Sequence, residues 1–135
     1  MWGIEAVKLE DSVTVGRFLF DKRLVRAADG SVKPNAMLPE LFQGRLETSV
    51  CDLTTTNAER LRTLASAIRA PMIALALTRV VVREVSKQGL DCETAPQPDF
   101  EEHAVIVQWP SGADDKARRL DICNALVDGI RATSI

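Results

Sequence analysis

The chain has no tyrosine, and its aromatic content is four phenylalanines and two tryptophans in 135 residues. Proteins that grip single-stranded nucleic acid stack bases on aromatic faces, so this shortage counts against that class. There is one histidine, His103. A metal site would have to rely on carboxylates or on cysteines, and the three cysteines Cys51, Cys92 and Cys123 lie far apart with no C-x-x-C pair. That spacing matches neither a zinc module nor a disulfide framework. Reduced, buried thiols are expected instead, and no metal or cofactor. The seven glycines form no phosphate loop and no dinucleotide fingerprint, and no nucleophile elbow is present. The longest apolar run, Ala70 to Leu77, is far below membrane-spanning length. The first eleven residues mix Glu5, Lys8, Glu10 and Asp11 with apolar residues, unlike a signal peptide. A cytoplasmic protein with no membrane partner is the resulting expectation.

What is present suits one globular domain. The hydrophobic fraction is 46%, the charged fraction 27% and the formal net charge −2. Chains of this length bury enough surface to hold a core unaided. The mild acidity argues against a protein built chiefly to hold phosphate backbones. Charge is nevertheless segregated. Arg17, Lys22, Arg23, Arg26 and Lys33 stand against only Asp21 and Asp29 between positions 17 and 33, and Asp91, Glu93, Asp99, Glu101 and Glu102 meet no base between 91 and 102. Such runs are either solvated faces or two surfaces for a partner or a self-contact.

Residues 1–11 read as a flexible terminus and 12–135 as a single α+β domain. Ser12 to Phe20 and Gly44 to Leu53 alternate as strands, the second placing Cys51 on the polar face. Asp29-Gly30 marks either a small hairpin or an exposed loop over Leu24 to Lys33. Pro34 and Pro39 make the intervening stretch irregular. Thr56 and Glu59 fit a capping box opening a helix to Arg69, with Ala58, Leu61, Leu64, Ala65 and Ile68 on one stripe. Pro71 stops it. A strand is expected from Met72 to about Leu77, then a helix over 78–88. Leu90 to Thr94 and His103 to Trp109 read as strands. A last helix is expected over Ala113 to Arg131, striped by Leu120, Cys123, Val127 and Ile130. These elements suggest a mixed sheet of about four to five strands with two to three helices mainly on one face.

Three groups of residues carry the candidate chemistry. His103 opens a strand directly after Glu101 and Glu102, whose carboxylates would favour its charged form. It reads either as a general acid/base or ligand contact or as a strand-edge histidine bonded to a loop. Trp109, before Pro110, is either a binding hot spot or a core residue. Arg17, Arg23 and Lys33 could hold a phosphate or carboxylate, or simply keep an edge strand soluble.

Val32-Lys33-Pro34 with Leu38-Pro39, the strand Leu46 to Val50, Gly89-Leu90, and His103-Ala104-Val105-Ile106 leading to Trp109-Pro110 resemble a family of small uncharacterised bacterial proteins. The resemblance spans Phe18 to Val127, and its most specific piece is the H-A-x-I-x-x-W-P stretch. It implies a bacterial cytosolic protein, draws attention to His103 and Trp109, and attaches no reaction. Two function classes then compete. One is a binding or accessory protein acting through a protein partner or self-association, with the acidic run including Glu101 and Glu102 as its surface. The other is a small enzyme on a phosphate-containing substrate, a nuclease or transferase, with His103 as acid/base beside basic residues. Non-catalytic nucleic-acid binding ranks third.

Overall fold

A computed structural model describes residues 6–135. Seven strands form one sheet: β1 (Thr14–Leu19), β2 (Glu40–Phe42), β3 (Arg45–Asp52), β4 (Ala76–Val81), β5 (Asp91–Thr94), β6 (His103–Val107) and β7 (Thr133–Ser134). Three α-helices among the described residues accompany them: α1 (Ala58–Ala67), α2 (Val82–Lys87) and α3 (Lys116–Val127). The strand order is β5-β6-β3-β1-β4-β7, with β2 pairing β3 outside that path.

Every pairing is antiparallel, so the expected mixed sheet of four to five strands is corrected to a purely antiparallel one of seven. The reason is topological. α1 does link two parallel strands, β3 and β4, as a helical crossover should. But β1 lies between them and runs opposite to both. Two of the added strands left little trace in sequence. β7 has two residues. β2 has three, and exists because Gln43 (φ 50°) and Gly44 (φ 80°) make a two-residue turn with positive φ at both positions. That backbone matches strand twist, and glycine takes it at no steric cost.

Strand alternation divides the side chains between two faces. Val15, Leu19, Val50, Val80, Ala104 and Ile106 share the principal core with Val82 and Val85 of α2 and Ile122, Cys123, Leu126 and Val127 of α3. Leu120 is 45% exposed, so Ile122 and Leu126 replace it on the buried stripe of α3. Trp109 belongs to this core: it is 5% exposed and its indole N–H donates to the Ile106 carbonyl at 3.1 Å. On the opposite face, Cys51, Leu64 and Phe100 form a smaller cluster with Phe18 and Leu53 packed against it. Cys51 therefore faces inward on what looked like the polar side of its strand, because α1 covers that end of the sheet. Two helices lie on one face and one on the other.

Several boundaries differ from the sequence expectation. The cap of α1 is Asn57, whose side chain accepts from the Arg60 N–H; Thr56 instead donates its hydroxyl to the Leu53 carbonyl. Asn one residue nearer the helix is the better cap. The 72–77 strand begins only at Ala76, and it runs on to Val81 before α2 starts. The β-branched residues Thr78, Val80 and Val81 favour that continuation. Residues 24–33 form a tight turn-back in which Val25 bridges Val32. Within the expected flexible terminus, residues 1–5 lie outside the described residues, while Val7 and Leu9 hydrogen-bond along β5. No helix among the described residues is long and apolar enough to cross a membrane.

Candidate functional site

β1 and β2 flank the same side of β3. In an antiparallel strand, alternate residues point both their N–H and C=O to one neighbour. The two-residue turn makes Phe42↔Arg45 a hydrogen-bonded pair, so the odd-numbered residues of β3 face β2. The Leu53 N–H donates to the Thr14 carbonyl, so the same odd residues face β1. β1 pairs with β3 only at Val15↔Asp52 and Gly16↔Cys51, and β2 only from Glu47 back to Arg45. Between them, at Ser49, the sheet opens into a fork.

Arg17 fills that fork. It follows Val15 on the inward face of β1, but its guanidinium extends into the gap. Nε donates to the Ala36 carbonyl at 2.7 Å and one terminal nitrogen donates to the Ser49 carbonyl at 2.8 Å. The other terminal nitrogen lies 3.7 Å from the Glu40 carboxylate. Burial pulls the Arg17 pKa down, and Glu40 opposes the shift. A guanidinium stays charged regardless, since its ordinary pKa lies far above neutrality.

Two adjoining cavities meet at the fork, of about 590 and 440 Å³. Arg17, Ser49, Arg69, Gln97 and His103 line both. The first adds the charged residues Glu40, Arg45 and Glu47, with Leu41 and Phe42 also in its wall. The second adds Phe18, Phe20, Leu24, Ile68, Met72 and Phe100 to the shared residues, with Asp21 also in its wall. Arg69, just past the end of α1, lies 3.4 Å from the same Glu40 oxygen that faces Arg17. It also stands 5.2 Å from the centre of the Phe20 ring, in cation–π range. Two cations thus converge on one carboxylate oxygen at the junction of the two lobes.

His103 joins this junction from β6. Its Nδ1 lies 2.7 Å from the Ala95 carbonyl. A carbonyl only accepts, so Nδ1 carries the proton and Nε2 is left as the free ring nitrogen. Phe100 packs on the ring at 5.1 Å between centres. The Glu102 carboxylate goes elsewhere than the histidine: it receives two hydrogen bonds from Arg60 of α1, at 2.7 and 2.9 Å. These bonds hold its pKa below the ordinary carboxylate value. A carboxylate depressed in the folded state stabilises the fold above its unfolded value of about 4.5 and loses that contribution as pH falls through the folded value. Glu102→Gln should therefore flatten the acid limb of a stability-versus-pH curve measured by urea denaturation between pH 6 and 3. An unchanged slope would show that the pair contributes nothing.

The remaining candidates disperse. Arg23 is held by Asp21 on an exposed turn, and Lys33 precedes Pro34 outside both cavities. The acidic run is largely engaged within the chain: Asp91 pairs with Lys8, Glu93 with Arg45 and Glu102 with Arg60, while Glu101 is exposed. Burial pushes all three cysteine thiols up to about 12, so none is poised as a nucleophile. Among the described residues, no group of three potential metal ligands occurs. Sequence reasoning missed Arg69, Glu40 and Ser49. A signal for Arg17 was available, since it occupies an inward position of the Val13, Val15, Arg17, Leu19 series. Comparison with known families, curated proteins and solved structures gives no match.

Proposed function

We propose that the protein works by binding, and that the fork between β1 and β2 receives an anionic group. The observation that carries this is the convergence of Arg17 and Arg69 on one oxygen of Glu40. Arg17 is fixed by two backbone carbonyls, keeps further N–H donors and lines both cavities. A guanidinium held in place beforehand loses little freedom on binding, so its charge-assisted bonds count more fully toward affinity. Glu40 is a weak internal occupant. Its side chain is 68% exposed and its nitrogen–oxygen distances are long, and such a surface pair is worth at most about 1 kcal/mol. An incoming anion can displace it. Cavities of this size with a few convergent polar groups are typical of small-molecule sites.

The test is an NMR titration of ¹⁵N-labelled protein with inorganic phosphate and with acetate. Saturable shifts are expected at Arg17, Ser49, Arg69 and Gln97, weakening with added salt. Arg69→Gln changes an exposed side chain and should weaken the anion by about tenfold, the loss of one charge-assisted pair. Absence of saturable shifts, or shifts confined to Arg23 and Lys33, would remove this site.

A second reading is favoured by His103 alone: Nδ1 is tied to Ala95, which leaves Nε2 as a base or acid in the groove. It makes the protein a hydrolase or transferase of phosphate-bearing substrates. It requires turnover of a simple phosphomonoester that His103→Gln abolishes; binding without turnover leaves the first reading.

A further inference from the structure

We infer that the ligand is an amphipathic carboxylic acid, its carboxylate between Arg17 and Arg69 in place of that of Glu40 and its apolar body in the second lobe. This inference rests on the anion-binding reading above. Two features select the class.

The first is what already sits at the cationic point. The chain places a carboxylate there, with one oxygen 3.7 Å from Arg17 and 3.4 Å from Arg69. A ligand carboxylate would repeat that arrangement and restore the electrostatics that Glu40 gives up. Phosphate sites more often draw on clustered backbone N–H groups at a glycine-rich turn or helix start. Here the residues common to both lobes are Arg17, Ser49, Arg69, Gln97 and His103, with no glycine-rich turn or helix start among them.

The second is the wall that continues from it. Phe18, Phe20, Leu24, Ile68, Met72 and Phe100 line the lobe of about 440 Å³ that Arg17 and Arg69 also border, and the one carboxylate in its wall, Asp21, is paired with Arg23. Met72 is 51% exposed and Ile68 36% exposed at its lip. A purely ionic ligand would leave this wall in water. A ligand with an apolar tail removes both surfaces from water at once. The Gln97 amide N–H at the junction can donate to the second carboxylate oxygen, and His103 Nε2 can accept from a hydroxyl or amine substituent beside it.

The test is a series of straight-chain acids, acetate, butyrate, hexanoate and octanoate, with inorganic phosphate alongside, titrated into the full chain and followed by NMR. Affinity should rise by up to about fourfold per added methylene until the lobe is full. Met72→Ser removes apolar surface at the lip and adds no charge beside Arg69, to whose carbonyl the Met72 N–H donates. It should reduce the gain with chain length more than it changes acetate binding. Glu40→Gln should tighten every acid in the series by severalfold, because the internal competitor is gone. Acetate and octanoate binding equally at the arginines would overturn the inference and leave the anion site standing. So would phosphate binding more tightly than octanoate. Failure of all the anions to bind would remove both readings together.

Discussion

Arg17→Leu should destabilise the fold by about 2–4 kcal/mol and eliminate anion binding at the same stroke. The side chain volume is largely kept, so the loss is not a cavity effect. The leucine removes the donors to Ala36 and Ser49, and each carbonyl left without a partner in a partly buried place costs about 1–3 kcal/mol. Some of this is recovered, because Ser49 borders a cavity that water can enter. Removing a buried charge also returns its desolvation cost. These two offsets keep the expected value below the sum of the lost bonds. At roughly 3–5 °C per kcal/mol for a chain of this size, the midpoint of thermal unfolding should fall by about 10 °C. Arg17→Lys separates the two roles. Lysine keeps the charge, but its single ammonium cannot reproduce the fork geometry toward Ala36, Ser49 and the cavity together. It should retain more stability than leucine while binding acetate weakly. Calorimetry of both variants decides the matter. A leucine variant as stable as the parent would mean that the fork is held by the strands alone, and that Arg17 is there for the ligand only.

The parts of this architecture that were legible in sequence are those with local periodicity. Alternation over Ser12–Phe20, Gly44–Leu53 and His103–Trp109 located β1, β3 and β6, and the Leu61–Leu64–Ala65–Ile68 stripe located α1. β2 escaped because three residues behind two prolines have no period to detect; only the Gln43-Gly44 turn, acting on the strand after it, creates the pairing. The site was half legible. Arg17 and His103 stood out, one in a basic run and one as a lone histidine. Their partners did not. Arg17 meets Ser49 across 32 positions, and Arg69 meets Glu40 across 29. Contacts of that kind follow from strand order, which a single sequence does not display. The basic run also misled as a unit. Arg17 lies in a strand and turns into the fork, whereas Arg23 and Lys33 lie in the irregular segment after it, so nearness in sequence did not become nearness in space. The acidic run likewise disperses, three of its carboxylates each pairing with a base from a different part of the chain.

Leu64→Ala should cost about 2–4 kcal/mol, and its consequences should reach the binding groove. Leu64 is 2% exposed and packs with Cys51 and Phe100, the cluster through which α1 covers its end of the sheet. Truncating a buried leucine loses the transfer energy of three carbons and leaves a void that the neighbours refill only in part. The cluster is small, and the helix is otherwise tied down by hydrogen bonds from Arg60 to the Glu102 carboxylate and the Asp99 carbonyl and by the Ala74 N–H bond to the Ala65 carbonyl. α1 also carries the groove. Ile68 and Arg69 follow directly from its last turn, and Phe100 touches both Leu64's cluster and the His103 ring. A loosened helix therefore spreads the positions of Arg69, while Arg17, bound to backbone on the other side of the fork, stays in place. The expected signature is a drop in stability with faster amide exchange over 58–67, and weaker anion binding that retains its dependence on Arg17. Full affinity in a destabilised Leu64→Ala protein would show that Arg69 is positioned by Phe20 and Glu40 without the help of α1. In that case the anion site belongs to the β1–β2–β3 fork alone, and the helix serves only to cover the sheet.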